Sequence, residues 1–261
     1  MNSQSGTHYR KDIDYHQIIG PEYHQVVVEP RRFTNDLLFG PFEALLPSGG
    51  SMLDVGCGTG HMILRYGARF STVTGVDHSE AMLYSAGCNV RDAGLAGVTL
   101  RRTDVPGWLE TLEDSFDLIT CVGCLHHLLP EDVPRVLGAA ADRLKNDGLL
   151  LLAEPVEVHS PEPQAIRRWN RRAAPVATGY AREAEEPDEA PLQRAQLADG
   201  FAGAGLEIVA ENRTWEILPS SMPPSWLDRL MIRYLHWRYG RNGCVLAVAA
   251  RRRGNPPKEE G

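Results

Sequence analysis

The sequence predicts an α/β protein whose parallel sheet is covered by helices on both faces. Two observations carry this. From residue 51 onward, short apolar runs alternate with stretches of helical spacing, and runs such as Phe116–Val122 are too continuously apolar to have a wetted face. The first run ends on Asp54-Val55 and passes into Gly56-Cys57-Gly58-Thr59-Gly60, a strand–loop–helix junction with three alternate glycines. With 261 residues, 43% of them apolar, the chain has material for a large core.

The elements follow in order. Residues 1–28 are polar and aromatic, with His8, Tyr9, Tyr15, His16, Tyr23 and His24 and no clear periodicity. They read either as a flexible arm or as a lid whose aromatic residues close over a ligand. A helix is expected over 30–46, interrupted at Gly40-Pro41 and ended by Pro47-Ser48-Gly49-Gly50. Residues 52–55 read as a buried strand. Residues 59–70 read as a helix with Met62, Ile63, Tyr66 and Phe70 on one face. A β-branched strand over 72–76 leads to a helix over 79–87, with Ser79 at its N-cap. Strands follow at 98–101 and 116–122, then a helix over 131–144 with Val133, Val136, Leu137, Ala140 and Leu144 at helical spacing. Asn146-Asp147-Gly148 reads as a turn before a fifth strand over 149–153. Beyond Pro155 the composition changes: prolines, a basic cluster over 167–172 and an acidic run over 183–189. The alternation resumes with a helix within 191–204, a strand over 206–210, a helix over 226–239 and a last strand over 245–250, before a polar tail.

A formal net charge of −7 disfavours a nucleic-acid binder that works by broad phosphate neutralisation. The five cysteines (57, 88, 121, 124 and 244) are odd in number and lack paired zinc-site spacing, so reduced thiols are expected. His126 and His127 are adjacent, which is poor ligand geometry, and no metal is expected. The N-terminus has no apolar signal core, and no run reaches the ~18 apolar residues of a membrane span. A soluble, cytoplasmic chain is expected, monomeric or homodimeric.

The glycines ask for a ligand. A loop between a strand and a helix sits at the carboxyl edge of the sheet, where the helix presents unpaired N–H groups and partial positive charge. Glycine lets backbone meet ligand without an intervening Cβ. A dinucleotide would want G-x-G-x-x-G, but the third glycine, Gly60, comes one residue early. The other class is S-adenosylmethionine, whose amino-acid carboxylate is the anion. Asp77 closes the second strand, where an acid can take both ribose hydroxyls. Asp104 follows the third, where an acid can accept from an adenine amine with Val105 against the ring.

Taken together, 52-MLDVGCGTGHM-62, 74-TGVDHSEAML-83, Asp104, 125-LHH-127 and 144-LKNDGLLLLAEP-155 resemble the class I S-adenosylmethionine-dependent methyltransferases of the small-molecule type. Asp147 stands where that family often has glycine. The resemblance is strong over about 52–155 and weak over 188–211 and 244–250. It implies a Rossmann-like seven-stranded sheet, mostly parallel, with the last strand antiparallel between the fifth and sixth. It implies a cofactor-binding core over 47–155, with an arm and lid helices over 1–46 and a lid insertion over 156–190. The second half of the sheet would occupy 191–251, with a lid segment over 212–243, and a tail 252–261. By the same resemblance Gly56, Cys57, Gly58 and Gly60 line the methionine end, Asp77, His78 and Met82 the ribose side, and Asp104 and Val105 the adenine. Cys121, Val122 and Gly123 border the sulfonium. Asp54 either ties down the loop or meets the cofactor ammonium.

His126 and His127 sit where donor meets acceptor, and either can deprotonate an acceptor or simply pack and cap; Glu154 faces the same place. Methyl transfer from a sulfonium needs little acid–base help, because in-line placement supplies most of the rate. Trp169, Trp215, Trp226 and Trp237, with Tyr180, Tyr234 and Tyr239, either line an aromatic acceptor pocket or pack a lid core. In the 226–239 helix, Leu227, Leu230, Met231 and Tyr234 form a stripe suited to core or dimer packing. The expected function is methyl transfer to a small organic acceptor, plausible for natural-product biosynthesis, with S-adenosylhomocysteine as coproduct. The rivals are a nucleic-acid methyltransferase, a non-enzymatic S-adenosylmethionine-binding regulator and an NAD(P) oxidoreductase.

Overall fold

The computed structural model describes residues 3–177 and 190–254. The side chains of His8 and Tyr9, the whole of Tyr180, the acidic run 183–189 and the tail from 255 lie outside the described residues. Seven strands form one sheet: β1 (Ser51–Val55), β2 (Thr72–Asp77), β3 (Val98–Arg102), β4 (Phe116–Val122), β5 (Leu144–Pro155), β6 (Leu206–Thr214) and β7 (Val245–Arg252). Their order is β3-β2-β1-β4-β5-β7-β6. The pairs β1–β2, β1–β4, β2–β3 and β4–β5 are parallel, and β7 runs antiparallel to both neighbours. The strand order reverses between β1 and β4, where an open α/β sheet forms its crevice.

The helices are α1 (Ser3–Tyr23), α2 (Glu29–Phe39), α3 (His61–Tyr66), α4 (Glu80–Asp92), α5 (Val105–Thr111), α6 (Asp132–Asp142), α7 (Gln164–Ala177), α8 (Arg194–Gly203) and α9 (Trp226–Tyr239). Strand parity sorts the core into two layers. Leu53, Val55, Ile119, Leu150 and Leu152 face α5, α6 and α8. Met52, Leu118, Leu149, Leu151 and Ala153 face the other way, onto Leu38 and Phe39 of α2 and Met62, Ile63 and Tyr66 of α3. Both faces are dry, which is why the strands are apolar at consecutive positions.

Several expectations are corrected here. Residues 3–39 are helical, with a π turn over His24–Val28 three residues beyond Pro21. Helix α3 is short because the chain tightens into a 3₁₀ turn over Gly67–Arg69. Helix α5 was not anticipated; Asp104 starts it as an N-cap, its carboxylate accepting from Gly107 N–H. The Asn146-Asp147-Gly148 turn is absorbed into β5 as an irregularity, since Phe116 pairs with Leu144 but Leu118 with Leu149. In α9 the buried side is Asp228, Ile232 and Leu235, so Leu227, Leu230 and Tyr234 are exposed instead of packed. The rotation is set by Asp228, which closes a capping box with Ser225 and also accepts from Ser220 and Ser221. An aspartate with that many donors must stay inside, and it decides which face turns in.

The region beyond residue 155 builds a third, smaller core of Ile166, Trp169, Trp215, Ile217, Ile232 and Leu235, with Phe33 and Leu37 of α2 against it. It works as a buttress behind α2. Two further bonds tie α2 down: Thr34 donates to Ile217 O, and Asn212 Nδ2 donates to the Leu37 and Leu38 carbonyls at 3.0 and 2.8 Å. Carbonyls in the last turn of a helix have no intrahelical partner, and Asn212 supplies one from β6. Asn212→Ala is therefore expected to cost about 1–3 kcal/mol in urea unfolding, the cost of leaving shielded carbonyls unmet; a loss under a few tenths would show that water replaces the amide freely.

Candidate active site

A cavity of about 1060 Å³ opens over the carboxyl ends of β1, β2, β4 and β5. Its floor is the loop after β1, its sides are the ends of β2 and β5 and the turn after β4, and its roof comes from α1 and α2. The volume is at the upper end for small-molecule sites, enough for two ligands side by side.

The glycines of the floor are bare for different reasons. A Cβ on Gly56 would lie 2.5 Å from Cys124 Sγ, so the turn after β4 excludes a side chain there. Gly58, at φ +49°, would point its Cβ into open space within the cavity wall; its backbone is the part presented to a ligand. Gly60 is the left-handed N-cap of α3 and lies outside the wall.

Three buried carboxylates hold this floor and sides. Asp77 accepts from Gly58 N–H at 2.9 Å and from Ser79 N–H at 2.8 Å, tying the glycine loop to the end of β2. Glu154, fully buried, accepts from Cys124 and Leu125 N–H, both at 2.9 Å, and lies 2.8 Å from His126 Nδ1. Asp54 takes the Thr120 hydroxyl at 2.7 Å with Oδ1, while Oδ2 is buried with no hydrogen-bond partner. Burial pushes the Asp54 carboxyl up to about 7; the Thr120 bond opposes this and the neighbouring Asp77 adds to it. His61, also in the wall, is pushed down to about 4 by burial and by Arg65, so its ring is neutral.

Residues 52–148 match the family model described as a methyltransferase domain. This stretch is similar to methyltransferase domains. An uncharacterised methyltransferase of Bacillus subtilis is 33% identical over 118 residues, which is 44% of this chain and 43% of that protein. A ubiquinone biosynthesis O-methyltransferase of Paracidovorax citrulli is 32% identical over 120 residues, 46% of this chain and 50% of that protein. The chain thus spans about half the length of these curated relatives or less. Among solved structures, the DhpI–SAH complex superposes with a TM-score of 0.63 at 14% identity, covering 96% of this chain and all of that one. The fold is that of the class I S-adenosylmethionine-dependent methyltransferases.

The domain brings Asp54, Gly56, Cys57, Gly58, Asp77, His78, Met82, Asp104, Val105 and Val122 to one cavity, together with His126 and His127. Cys121 is not in the wall: it shares the parity of Ile119 and points into the core. None of the tryptophans reaches the cavity. Trp169 and Trp215 pack in the buttress, and Trp226 and Trp237 are exposed on α9. In the roof, His16 and Tyr23 stand where the lid reading of the N-terminal aromatics puts them, and Asp12 is the residue missed. Asp12 and His16 on α1 face His78 and His127, and His24 Nδ1 lies 3.0 Å from the Thr59 hydroxyl on the floor. An Asp and a His four apart share a helix face, which was the available signal once 3–23 is taken as helical. Among the described residues, no helix is long and apolar enough to cross a membrane.

Asp54 has a consequence for stability. Its carboxyl is raised in the fold, so the native chain holds this proton more tightly than the unfolded one. The penalty is absent below about 4, grows as pH rises and is complete above about 7. Asp54→Asn should remove this component. The difference in melting temperature between variant and parent, measured without ligand, should move in the variant's favour from pH 4 to pH 7 and level off above; a constant difference refutes the raised carboxyl.

Proposed function

We propose that this chain transfers a methyl group from S-adenosylmethionine to a small organic acceptor, in natural-product or other secondary metabolism. The observation that carries it is the junction of the bare Gly58 backbone with the unpartnered Asp54 oxygen, beside the Asp77 carboxylate that holds Gly58 N–H, at one end of a cavity with room for two ligands. A zwitterion with an attached sugar meets complementary groups there: N–H donors at the glycine loop for its carboxylate, Asp54 for its ammonium, and Asp77 for its hydroxyls. Val105 and Met82 offer apolar surface to a base, with Asp104 beside them. The likeness to the O-methyltransferase of ubiquinone biosynthesis supports a small acceptor, and the bound SAH of the DhpI complex supports the cofactor.

When bound, S-adenosylmethionine supplies an activated methyl group on a sulfonium and leaves as S-adenosylhomocysteine. The chain supplies placement. The pinned glycine loop and the turn after β4 fix where donor and acceptor meet, and the roof of α1 and α2 excludes water. His126, its Nδ1 against Glu154, takes the acceptor's proton, and His127 beside it positions the acceptor. Segment 3–46 acts as the lid, while 156–177 and 212–243 brace α2.

Asp77→Asn keeps an acceptor for the loop but removes the charge. In calorimetry it should weaken S-adenosylmethionine binding by about 10–100-fold while circular dichroism stays unchanged, the equivalent of one charge-assisted hydrogen bond. Equal affinity in a folded variant defeats the assignment. Because the raised Asp54 must lose its proton to receive an ammonium, affinity in the parent should rise by up to about tenfold per pH unit toward 7 and then flatten. His126→Ala should lower turnover to S-adenosylhomocysteine in a cognate extract by about 10²-fold or more with cofactor affinity intact. Cofactor binding without any turnover in the parent would leave a non-enzymatic binder.

A further inference from the structure

Asp12, on α1, is almost fully buried in the cavity wall, with imidazoles on three sides. His127 Nδ1 lies 2.8 Å and His16 Nδ1 3.2 Å from its Oδ1, and His78 Nε2 lies 3.3 Å from its Oδ2. Three imidazole nitrogens thus surround one buried carboxylate at the spacing of a ligand set. Ligands on an ion with bonds of about 2.1 Å are about 3.0–3.4 Å apart along an edge. One ligand atom each from Asp12, His16 and His127 lies within 4.8 Å of the others.

The scaffold suits ligation. Asp12 and His16 are one helical turn apart on a single face, and His127 comes from the turn after β4. His16 Nδ1 also lies 2.9 Å from the Asp12 main-chain carbonyl, a bond that ligation through this nitrogen replaces. His126 Nδ1 is held by Glu154 while the His127 ring, 4.0 Å from it between centroids, turns its Nδ1 to Asp12, so only His127 joins the cluster. Two imidazoles and a carboxylate select a borderline transition ion over magnesium or calcium, and three protein ligands leave positions open toward the cavity.

We propose that Asp12, His16 and His127 bind a divalent ion of the zinc class, and that its open positions hold the hydroxyl oxygen of the methyl acceptor. The second half rests on the methyl-transfer reading; the first does not. An ion there lowers the proton affinity of a hydroxyl it holds. That hydroxyl gives its proton to His126, its oxygen bonds to the methyl carbon, and the carbon–sulfur electron pair returns to sulfur. The acceptor class is thus an alcohol, phenol or enol.

The test uses the untagged chain, stripped with a chelator, and zinc chloride alone in a calorimeter. One equivalent should bind, with no heat from magnesium, and cobalt should give the visible bands of a low-coordinate site. Asp12→Asn, His16→Ala and His127→Ala should each weaken zinc about a hundredfold or more; should one fail to fold, the other two decide. A parent that takes no zinc, or undiminished zinc in every folded variant, overturns the site. Acetohydroxamate, a bidentate oxygen ligand, should shift the cobalt bands, and unshifted bands overturn the acceptor role. S-adenosylmethionine affinity is measured on the same stripped protein: its absence sinks the methyl-transfer reading and leaves the zinc result standing.

Discussion

The cleft depends on acids at the ends of strands that accept hydrogen bonds from the loops of neighbouring strands. Asp77 of β2 holds Gly58, in the loop after β1. Glu154 of β5 holds Cys124 and Leu125, in the turn after β4. These two loops face each other across the place where the strand order reverses. A buried carboxylate is costly unless its oxygens are met, and backbone N–H groups at the mouth of a parallel sheet are costly unless they find acceptors. Each shortage meets the other, and the geometry of both loops is fixed before any ligand arrives. Asp54 is the exception, with one oxygen met by Thr120 and one left over. Burial also holds its proton well above the usual carboxylate range.

The same logic gives two adjacent histidines different partners. In the 3₁₀ turn over Leu125–His127 their rings lie 4.0 Å apart between centroids. Glu154 on the sheet captures one ring, and Asp12 on α1 captures the next. The turn therefore joins the rigid sheet to the helical roof, and placing an acceptor between them relies on one short segment.

Much of this was legible in the residues. Strands buried on both faces must be apolar at consecutive positions, so β4 could be read to its bounds, and the glycine loop and its acids located the cleft. Parity within β4 would also have turned Cys121 away from the cavity, since Ile119 and Cys121 share a face. The orientation of α9 was not legible from its apolar residues, because a polar group, Asp228, sets the rotation through serines that lie outside the helix. Asp104 is similar: an acid after a strand serves equally as a ligand or as a cap, and only the appearance of α5 shows that it caps. The roof was hardest to read. Helix α1 has no apolar stripe, and its buried residues include an aspartate.

That last feature has a mechanical meaning. Helix α1 is fastened to α4 and to the cavity by polar contacts: Gln17 accepts from Ala81 N–H, Ser85 donates to the Gly20 carbonyl, and Asp12 sits among its histidines. Of its side chains past residue 10, Ile19 is the fully buried aliphatic one. An apolar roof would resist opening in proportion to the area it exposed, at about 25 cal/mol per Å². Polar contacts exchange with water at much smaller net cost. The floor, packed beneath Leu53, Val55 and Ile119, has no such freedom. The molecule therefore divides its cleft into a floor built on the packed sheet and a roof helix held by polar contacts.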